Sequence, residues 1–246
     1  MGEPARRAPA DYEDLDELDD PFRLGWGLRS VHLPDGTSEV REVPLTAEDL
    51  LDPQLGDHVV QNSWHVSTVF ALFDILSSRY EASPDVLVSC DLKMIWGIRG
   101  LPGPAPDVAV IPGVRDKART RPSFRVRQER TRPALAIEVS SDEPEHQDND
   151  HEKKLRIYER AKVPEYLILD LPSPVCRWTG YRLDKSGRYQ PIVPDAEGRI
   201  LSRTTGLQFA ISPDGQAPQI FDAATGERLL TSSEIRAELN RLKKLL

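Results

Sequence analysis

Two acidic residues stand at the ends of apolar runs that predict buried β-strands. Asp107 opens the run Val-Ala-Val-Ile at residues 108–111, and Glu138 closes the run Leu-Ala-Ile at residues 135–137. A carboxylate at the end of a core strand costs several kcal/mol of lost hydration unless another group pairs with it. The chain must therefore fold so that both carboxylates meet a partner, which restricts the folds that it can adopt.

A helix predicted over residues 150–162 can supply that partner. Residues spaced by three or four share one side of an α-helix, and here they are Asp150, Lys154, Ile157, Tyr158 and Ala161. The last three would face a sheet, so Lys154 is expected to face it too, whereas Lys153 falls on the solvent side. A lysine within an apolar stripe requires a carboxylate partner, and Glu138 and Asp107 are the candidates.

An aspartate, a glutamate and a lysine carried on two strands and one helix are the groups that a metal-dependent phosphodiesterase needs. Its divalent cation polarises the phosphate and lowers the pKa of a bound water, acidic oxygens hold the cation, and a positive group orients the water. Asp107, Glu138 and Lys154 can supply these groups. Carboxylate oxygens are hard ligands, so Mg²⁺ or Mn²⁺ is the expected cofactor.

Charged residues are unevenly distributed along the chain, and their distribution indicates which kind of partner the chain can bind. The net charge of −8 argues against nucleic acid, but eight acids and two bases in residues 1–20 account for −6 of it. Residues 115–132 carry eight bases and two acids, a net charge of +6. Because local charge governs phosphate binding, this loop is expected to contact DNA through five arginines: Arg115, Arg119, Arg121, Arg125 and Arg127.

The remaining patterns predict three parts of the chain. Residues 1–20 are acidic and poor in apolar anchors, so they are expected to form a disordered tail. Residues 21–230 are expected to form one domain, with a helix at residues 63–80 before the two acidic strands and short strands separated by turns after residue 175. Residues 231–246 predict a C-terminal helix, in which Thr231 and Glu234 form a capping box.

The predicted C-terminal helix carries an apolar seam. Ile235, Leu239, Leu242 and Leu246 are spaced by four, three and four residues, which is the spacing of a heptad repeat. A helix of about 15 residues is marginal alone, so the seam is expected to dock on the domain or on a second copy of the chain. Many nucleases pair two sites through a two-fold axis, so a homodimer is possible.

The sequence also limits the location of the protein. No window approaches the roughly 18 apolar residues of a membrane span, and the N-terminus lacks the apolar region of a secretory signal. Cys90 and Cys176 cannot make a disulfide framework, and both are expected to be buried as apolar side chains. A reducing cytoplasm fits these features.

Four segments occur in order within residues 45–206: Pro106-Asp107-Val108, Ile137-Glu138-Val139-Ser140, Asp150-x-x-x-Lys154-x-x-x-Tyr158 and the run at residues 163–170. Together they resemble the PD-(D/E)XK nuclease superfamily, and more narrowly the Uma family of putative restriction endonucleases. Each motif alone is weak, but their order and spacing are fairly specific. A histidine at the start of the upstream helix, here His65, also fits the family.

The resemblance implies a restriction-endonuclease-like αβββαβ core of the α+β (α/β) class. A mixed sheet would be flanked by helices, and short strands and a terminal helix would follow. The metal would lie between the second and third strands of the core, held by Asp107, Glu138 and the carbonyl of Val139. Three further residues would support this site: His65, Asp150 and Tyr158.

The chain departs from the superfamily pattern at one position. The pattern places a lysine two residues after the glutamate, where this chain has Ser140. The resemblance suggests that the lysine role has moved to Lys154, the residue that the helix pattern also selects. Two functions stay open: a metal-dependent DNA endonuclease, or a catalytically weak or inactive module that binds nucleic acid or a protein partner. Ser140 and the acidic tail favour the module, and the complete Asp-Glu-Lys set favours the enzyme.

Each of these residues also has an ordinary structural interpretation. Asp107 can be a turn residue, Glu138 an exposed strand end, and Lys154 a side chain that reaches past the apolar stripe to solvent. Tyr158 can be core packing, and His65 can cap or pack its helix. The arginine-rich segment at residues 115–132 can be a solvated loop. The fold decides between these interpretations.

Overall fold

The computed structural model describes residues 21–33, 36–140, 147–171 and 175–245. The expected disordered tail at residues 1–20, and Leu246 of the predicted seam, lie outside the described residues. The described chain forms two compact units. The smaller ends at Thr46 and also includes Gly56–Val60, and the larger consists of Ala47–Leu55 and the residues from Gln61 onward. The domain bounds 21–230 stay a prediction, because compactness alone does not show which parts fold independently.

The smaller unit is a three-stranded antiparallel sheet. Strand β1 (Gly25–His32) pairs with β2 (Ser38–Pro44) on one side and with β3 (His58–Val59) on the other. Gly25 has a φ of +113°, and a Cβ atom there would lie 1.9 Å from the carbonyl oxygen of His58. Only glycine therefore allows β1 and β3 to pair this closely.

The larger unit contains the predicted core. Its first elements are α1 (Ser63–Arg79), β4 (Val86–Cys90), β5 (Met94–Ile95), β6 (Val108–Pro112), β7 (Phe124–Arg125), α2 (Val126–Glu129) and β8 (Leu135–Ser140). A π-helical segment (Asn149–Lys154) leads into α3 (Leu155–Arg160), followed by β9 (Glu165–Asp170), β10 (Arg177–Leu183) and β11 (Tyr189–Pro191). The last elements are β12 (Ile200–Ser202), β13 (Leu207–Ile211), β14 (Pro218–Asp222), β15 (Arg228–Leu229) and α4 (Ser232–Lys243). Among the described helices, none combines the length and the apolar composition that crossing a membrane requires.

Six strands of the larger unit form the mixed sheet that the sequence predicts. Their order is β11-β10-β9-β8-β6-β4. Strands β8 and β9 pair in parallel, whereas the other neighbours pair antiparallel. Parallel neighbours need a crossover connection, and the π-helical segment and α3 provide it. The order α1, β4, β6, β8, α3 and β9 confirms the expected αβββαβ core.

Strand β8 is covered on both faces of this sheet, since all six of its residues are buried. One face packs against α1, and the other, which begins with Ala136, packs against Tyr158. Side chains alternate between the two faces of a strand. Glu138 and Ser140 follow Ala136 by two and four positions, so both lie on the face that α3 covers.

The helix predicted at residues 150–162 forms with one difference. Its first part, Asn149–Lys154, is π-helical, and the α-helix begins at Leu155. The hydroxyl of Tyr166 donates a hydrogen bond of 2.9 Å to the carbonyl of Asp150. This bond occupies a carbonyl that a regular α-helix bonds internally, which favours the wider turn. Such π segments are rare and are frequent at functional sites.

A second sheet, in the order β12-β13-β14-β15, packs on the α1 face of the first sheet. Trp178 of β10 meets Phe209 of β13 with ring centroids 5.3 Å apart. At the start of β9, Glu165 accepts hydrogen bonds from the hydroxyl groups of Ser202 and Thr204 at 2.5 and 2.6 Å. These contacts fix the second sheet against the first.

The terminal helix α4 begins as predicted but leaves its seam uncovered. Thr231 and Glu234 form the capping box. Ser232 donates two hydrogen bonds to Asp74 of α1, from its backbone nitrogen at 2.6 Å and its hydroxyl at 2.7 Å. The seam residues Ile235, Leu239 and Leu242 remain 44 %, 51 % and 47 % exposed. Of the two docking partners expected for this seam, the described part of the domain does not cover it.

Candidate active site

Strand register brings three carboxylates into one row. Strand β6 pairs antiparallel with β8, with Val108 opposite Ile137, so Asp107, one residue earlier, comes opposite Glu138. The same extension of the β4–β6 pairing brings Asp91 beside Asp107. Directly opposed residues on neighbouring strands have Cβ atoms about 4.5–5.5 Å apart. The two acids that the sequence singles out are therefore neighbours across the sheet.

Asp107 is buried and held at both carboxylate oxygens. Its Oδ2 accepts a hydrogen bond of 2.7 Å from the backbone N–H of Val139. Its Oδ1 lies 3.3 Å from Nε2 of His65, at the start of α1. Burial alone raises the pKa of this carboxyl, but the interactions with His65 and Lys154 outweigh it and lower the pKa below its usual value. Asp107 therefore stays ionised.

Glu138 is the most deeply buried acid of the row, with 1 % of its surface exposed. Its Oε2 accepts a hydrogen bond of 3.0 Å from Nζ of Lys154, and its Oε1 accepts one of 2.6 Å from the hydroxyl of Tyr158. Burial raises its pKa well above the usual value, the charges of Asp107 and Asp150 raise it further, and Lys154 only partly opposes them. The pKa values of Asp107 and Glu138 are therefore shifted in opposite directions.

Lys154 points into the sheet, as the helical pattern predicts. Its Nζ lies 3.0 Å from Glu138 and 2.8 Å from Asp150. Burial lowers its pKa, but the charges of these two acids and of Asp107 outweigh burial and raise it, so the side chain stays charged. Lys153 instead lies at the surface, where it contacts Asp148 and Asn149 at 2.9 and 3.1 Å.

The structure adds Asp91 to the residues that the sequence predicts. Loss of hydration and the neighbouring charge of Asp107 raise the pKa of Asp91 to about 6. In the sequence Asp91 looks like an ordinary residue after β4, and only the register of β4 against β6 reveals its place. Its φ of +47° is unusual for a residue other than glycine. The adjacent Cys90 is a free thiol whose pKa burial raises to about 12, so it is not a nucleophile.

The donor set fits a divalent cation. Four carboxylates lie around Lys154, and the charges of two of them, Asp107 and Asp150, add to the effect of burial in raising the pKa of Glu138. Oxygen ligands of this kind suit Mg²⁺ or Mn²⁺. Within the described ranges, no group of three or more histidine, cysteine, aspartate or glutamate side chains is arranged to hold a metal. A cation here would therefore need a backbone carbonyl and water besides Asp107 and Glu138.

Ser140 occupies the position at which the superfamily pattern has its lysine. It is buried on the face of β8 that also carries Glu138. Its hydroxyl has no hydrogen-bond partner among the described residues. Among the described residues, Lys154 is thus the only cation that forms an ion pair with Glu138.

The five arginines of the basic loop are not equivalent. Arg119 and Arg121 both form ion pairs with Glu129. The side chain of Arg121 is 4 % exposed and also donates hydrogen bonds of 2.9 and 2.6 Å to the carbonyls of Arg119 and Asp116. It therefore stabilises the loop rather than facing solvent. The other three are exposed: Arg115, Arg125 and Arg127.

The comparison with protein families agrees with the sequence patterns. A family model named Uma2 and described as "Putative restriction endonuclease" matches residues 51–214. The fold is also similar to a solved structure, a putative nuclease belonging to DUF820 from Anabaena variabilis, at 13 % identity and a TM-score of 0.43. That similarity covers 62 % of this chain and 87 % of the other. Among curated proteins, none matches the chain.

Proposed function

We propose that this chain, which belongs to the Uma2 family of putative restriction endonucleases, hydrolyses phosphodiester bonds of DNA in a reaction that requires a divalent cation. The observation that carries this proposal is the buried ion pair between Lys154 and Glu138 beside Asp107. Buried charges stabilise a fold poorly even when they are paired, and here acids outnumber bases. A chemical role therefore explains their burial better than a structural one.

Asp107, Glu138 and the carbonyl of Val139 are the groups that would hold the cation, Mg²⁺ or Mn²⁺. When bound, such a cation polarises the phosphate and lowers the pKa of a coordinated water. His65 lies beside Asp107, and Tyr158 donates to Glu138. Both side chains would fix the orientation of a ligand carboxylate, as outer groups around metal sites commonly do.

Lys154 would replace the strand lysine of the superfamily. Its ammonium group is held between Asp150 and Glu138 at 2.8 and 3.0 Å, so its position needs no rearrangement during the reaction. It would orient the attacking water and stabilise negative charge on the phosphate, which is electrostatic preorganisation. Ser140 is uncharged and would not compete with Lys154 for Glu138.

DNA is the proposed substrate because of the basic loop. Arg115, Arg125 and Arg127 are exposed and would contact phosphates without reading bases. Arg119 would contribute in part, since it shares Glu129, and Arg121 would contribute by holding the loop. A cytoplasmic location stays a prediction.

A homodimer is the proposed assembly. The seam of α4 has the heptad spacing that lets two helices pack, and Ile235, Leu239 and Leu242 are half exposed. Ser232 fixes the beginning of α4 to α1, so the position of the seam relative to α1 is defined at this end of the helix. Pairing two copies through a two-fold axis would bring two sites to the two strands of a duplex.

Cleavage of supercoiled plasmid DNA tests the proposed reaction. The wild-type protein is expected to nick or linearise the plasmid with Mg²⁺ or Mn²⁺ and to be inactive in EDTA. Glu138→Ala is expected to be inactive under all conditions, whereas Glu152→Ala, which removes an exposed acid from the same crossover, should retain activity. A wild-type protein that binds DNA but cleaves none with either cation would be a non-catalytic binding module.

A further inference from the structure

A cavity in the larger unit, apart from the carboxylate row, is lined in part by basic residues. It has a volume of about 440 Å³ and lies where α3 ends, whereas Lys154 directly precedes the start of α3. Four of its lining residues are cationic and none is acidic; we call this cavity the basic pocket, defined by Arg127, Arg130, Arg132 and Lys162. A cavity with cations and no carboxylate in its wall attracts an anion.

Two of these cations occupy strained backbone positions. Arg130 and Lys162 both have a φ of +59°, and Asp91 of the carboxylate row is the one other non-glycine residue with positive φ in the described chain. Both follow the end of a helix, where glycine or asparagine adopts this conformation at lower cost. A strained backbone persists where the surrounding structure requires it, most often at functional sites. The chain thus keeps long cations where small residues would be more stable.

Arg127 is held in place without an acidic partner. Gly97, also in the wall of the pocket, has a φ of +72°, and a Cβ atom there would lie 2.2 Å from Cδ of Arg127. The aliphatic part of Arg127 therefore lies across the backbone of Gly97, at a distance that only glycine permits. Neither Arg127 nor Arg130 forms a salt bridge within the described part of the chain. Their charges remain available to a ligand.

Arg132 removes the main source of negative potential near the pocket. It donates hydrogen bonds of 2.9 and 3.5 Å to the carbonyls of Ala161 and Lys162. The carbonyls at a helix end carry partial negative charge, and Arg132 compensates it. Lys162 donates a hydrogen bond of 2.8 Å to the carbonyl of Gly187, which does not line the pocket, so its ammonium group is already engaged. The potential in the pocket is therefore positive.

The basic pocket lies on the same face of the sheet as the carboxylate row. Its apolar wall includes Trp96, Val126 and Ala161, which pack in one core with Tyr158. Seven residues separate Lys154 from Ala161, which is about 10 Å along a helix at 1.5 Å per residue. The pocket and the carboxylate row are therefore close enough for one DNA strand to contact both.

We infer that the basic pocket binds a backbone phosphate of the same DNA strand whose phosphodiester is hydrolysed. The inference rests on the proposed function for the identity of the substrate. Its basis is separate, since it depends on Arg127 and Arg130 and not on the carboxylates. The pocket would hold the strand in register with the site without reading its bases.

Binding of a labelled DNA duplex in EDTA, followed by fluorescence anisotropy over a series of salt concentrations, tests this inference. The double variant Arg127→Gln/Arg130→Gln is expected to bind about tenfold more weakly at low salt. Its slope of log affinity against log salt should be shallower by about 0.9 for each phosphate that the variant no longer neutralises. The matched control is Arg156→Gln/Arg160→Gln, which removes two exposed charges from the opposite side of α3. It is expected to retain the wild-type slope.

The outcomes separate this inference from the proposed reaction. If the pocket variant has a shallower slope while the wild-type protein cleaves no DNA, the pocket is a phosphate site and the hydrolytic function is wrong. If the wild-type protein cleaves DNA but both double variants bind alike, the pocket inference is wrong. It is also wrong if inorganic phosphate raises the melting temperature of the wild type alone while DNA affinity is the same in the variant, because the pocket then serves a free anion.

Discussion

At the scale of single residues, Glu138 and Lys154 depend on each other. The lysine keeps its charge because three acids surround it, and the glutamate is forced into a region where other carboxylates repel it. Tyr158 contacts Glu138, and His65 contacts Asp107. A substitution at one residue therefore changes the protonation of its neighbours, which makes the site sensitive to pH and to cations.

Lys154→Ala is expected to lower the rate of plasmid cleavage by about 10²–10³-fold, the effect typical of removing one preorganised charge. Binding of Mn²⁺, measured by calorimetry, should be largely retained because both carboxylates remain. Lys153→Ala is the matched control, since its ammonium group contacts Asp148 and Asn149 at the surface. Equal activities of the two variants would exclude Lys154 from the reaction.

Glu138→Gln is expected to stabilise the protein in EDTA at neutral pH by about 1–3 kcal/mol. The folded protein raises the pKa of Glu138, so the stability that this group contributes is full below its unfolded pKa and is lost as pH rises through its folded pKa. The gain in the variant should therefore vanish near pH 4 and grow toward neutral pH.

Thermal unfolding at several pH values measures this effect. Added Mg²⁺ should raise the melting temperature of the wild type and not of the variant, because binding to the folded state alone is stabilising. Glu152→Gln, at an exposed position, serves as the control and should behave like the wild type. A variant less stable than the wild type throughout this pH range would contradict the assigned pKa shift.

At the scale of elements, two features position the site. The alternation along β8 points Glu138 toward α3, and the π-helical segment Asn149–Lys154 brings Asp150 and Lys154 over it. The start of β9 has another role. There Glu165 is fully buried and forms an ion pair of 2.6 Å with Arg182. It also accepts hydrogen bonds from hydroxyl groups of β12 and of the turn that follows β12. Glu165 thus joins the two sheets rather than serving the site.

Glu165→Gln is expected to destabilise the protein by about 3–5 kcal/mol, the usual cost of breaking a buried ion pair. Although burial raises the pKa of Glu165, its hydrogen bonds with Ser202, Thr204 and Arg203 and its pairing with Arg182 lower it overall. This stability is present above the unfolded pKa and is lost as pH falls through the folded pKa. Denaturant unfolding at neutral pH and near pH 4 should show a smaller difference at the lower pH.

At the scale of the whole molecule, the charges and the exposed apolar seam concern partners. The basic pocket and the exposed arginines Arg115, Arg125 and Arg127 carry positive charge in a chain whose net charge is −8. Binding to DNA should therefore be strongly salt-dependent and confined to this basic part of the surface. The seam of α4 is apolar and half exposed, and the proposed homodimer would cover it.

Ending the chain after Thr231 is expected to convert a dimer into a monomer, because it removes Ile235, Leu239 and Leu242 while leaving both sheets intact. Light scattering should show half the wild-type mass. Arg236→Ala, a substitution at another exposed position of α4, should leave the mass unchanged. If the wild type is already a monomer, or if the shortened chain keeps the dimer mass, the seam has another role.

The sequence by itself determined those features that depend on local periodicity. The two-residue period of β8 and the apolar stripe of Ile157, Tyr158 and Ala161 follow from side-chain geometry within one element, so the helix face of Lys154 was predictable. The αβββαβ order was expected from the resemblance to the nuclease superfamily and not from periodicity. The capping box of α4 is likewise local. The catalytic roles of these residues stay a prediction, because periodicity shows orientation and not chemistry.

Only the tertiary structure decided which distant residues meet. The register of β4, β6 and β8 brings Asp91, Asp107 and Glu138 together, and register depends on pairing between segments that no local pattern specifies. The basic loop depends on the tertiary structure in the same way. Arg121 is buried against Glu129, whereas Arg127 lines the basic pocket together with residues that follow α2 and α3. The positive charge of a segment predicts that it attracts anions. Which surface each of its side chains faces depends on long-range packing.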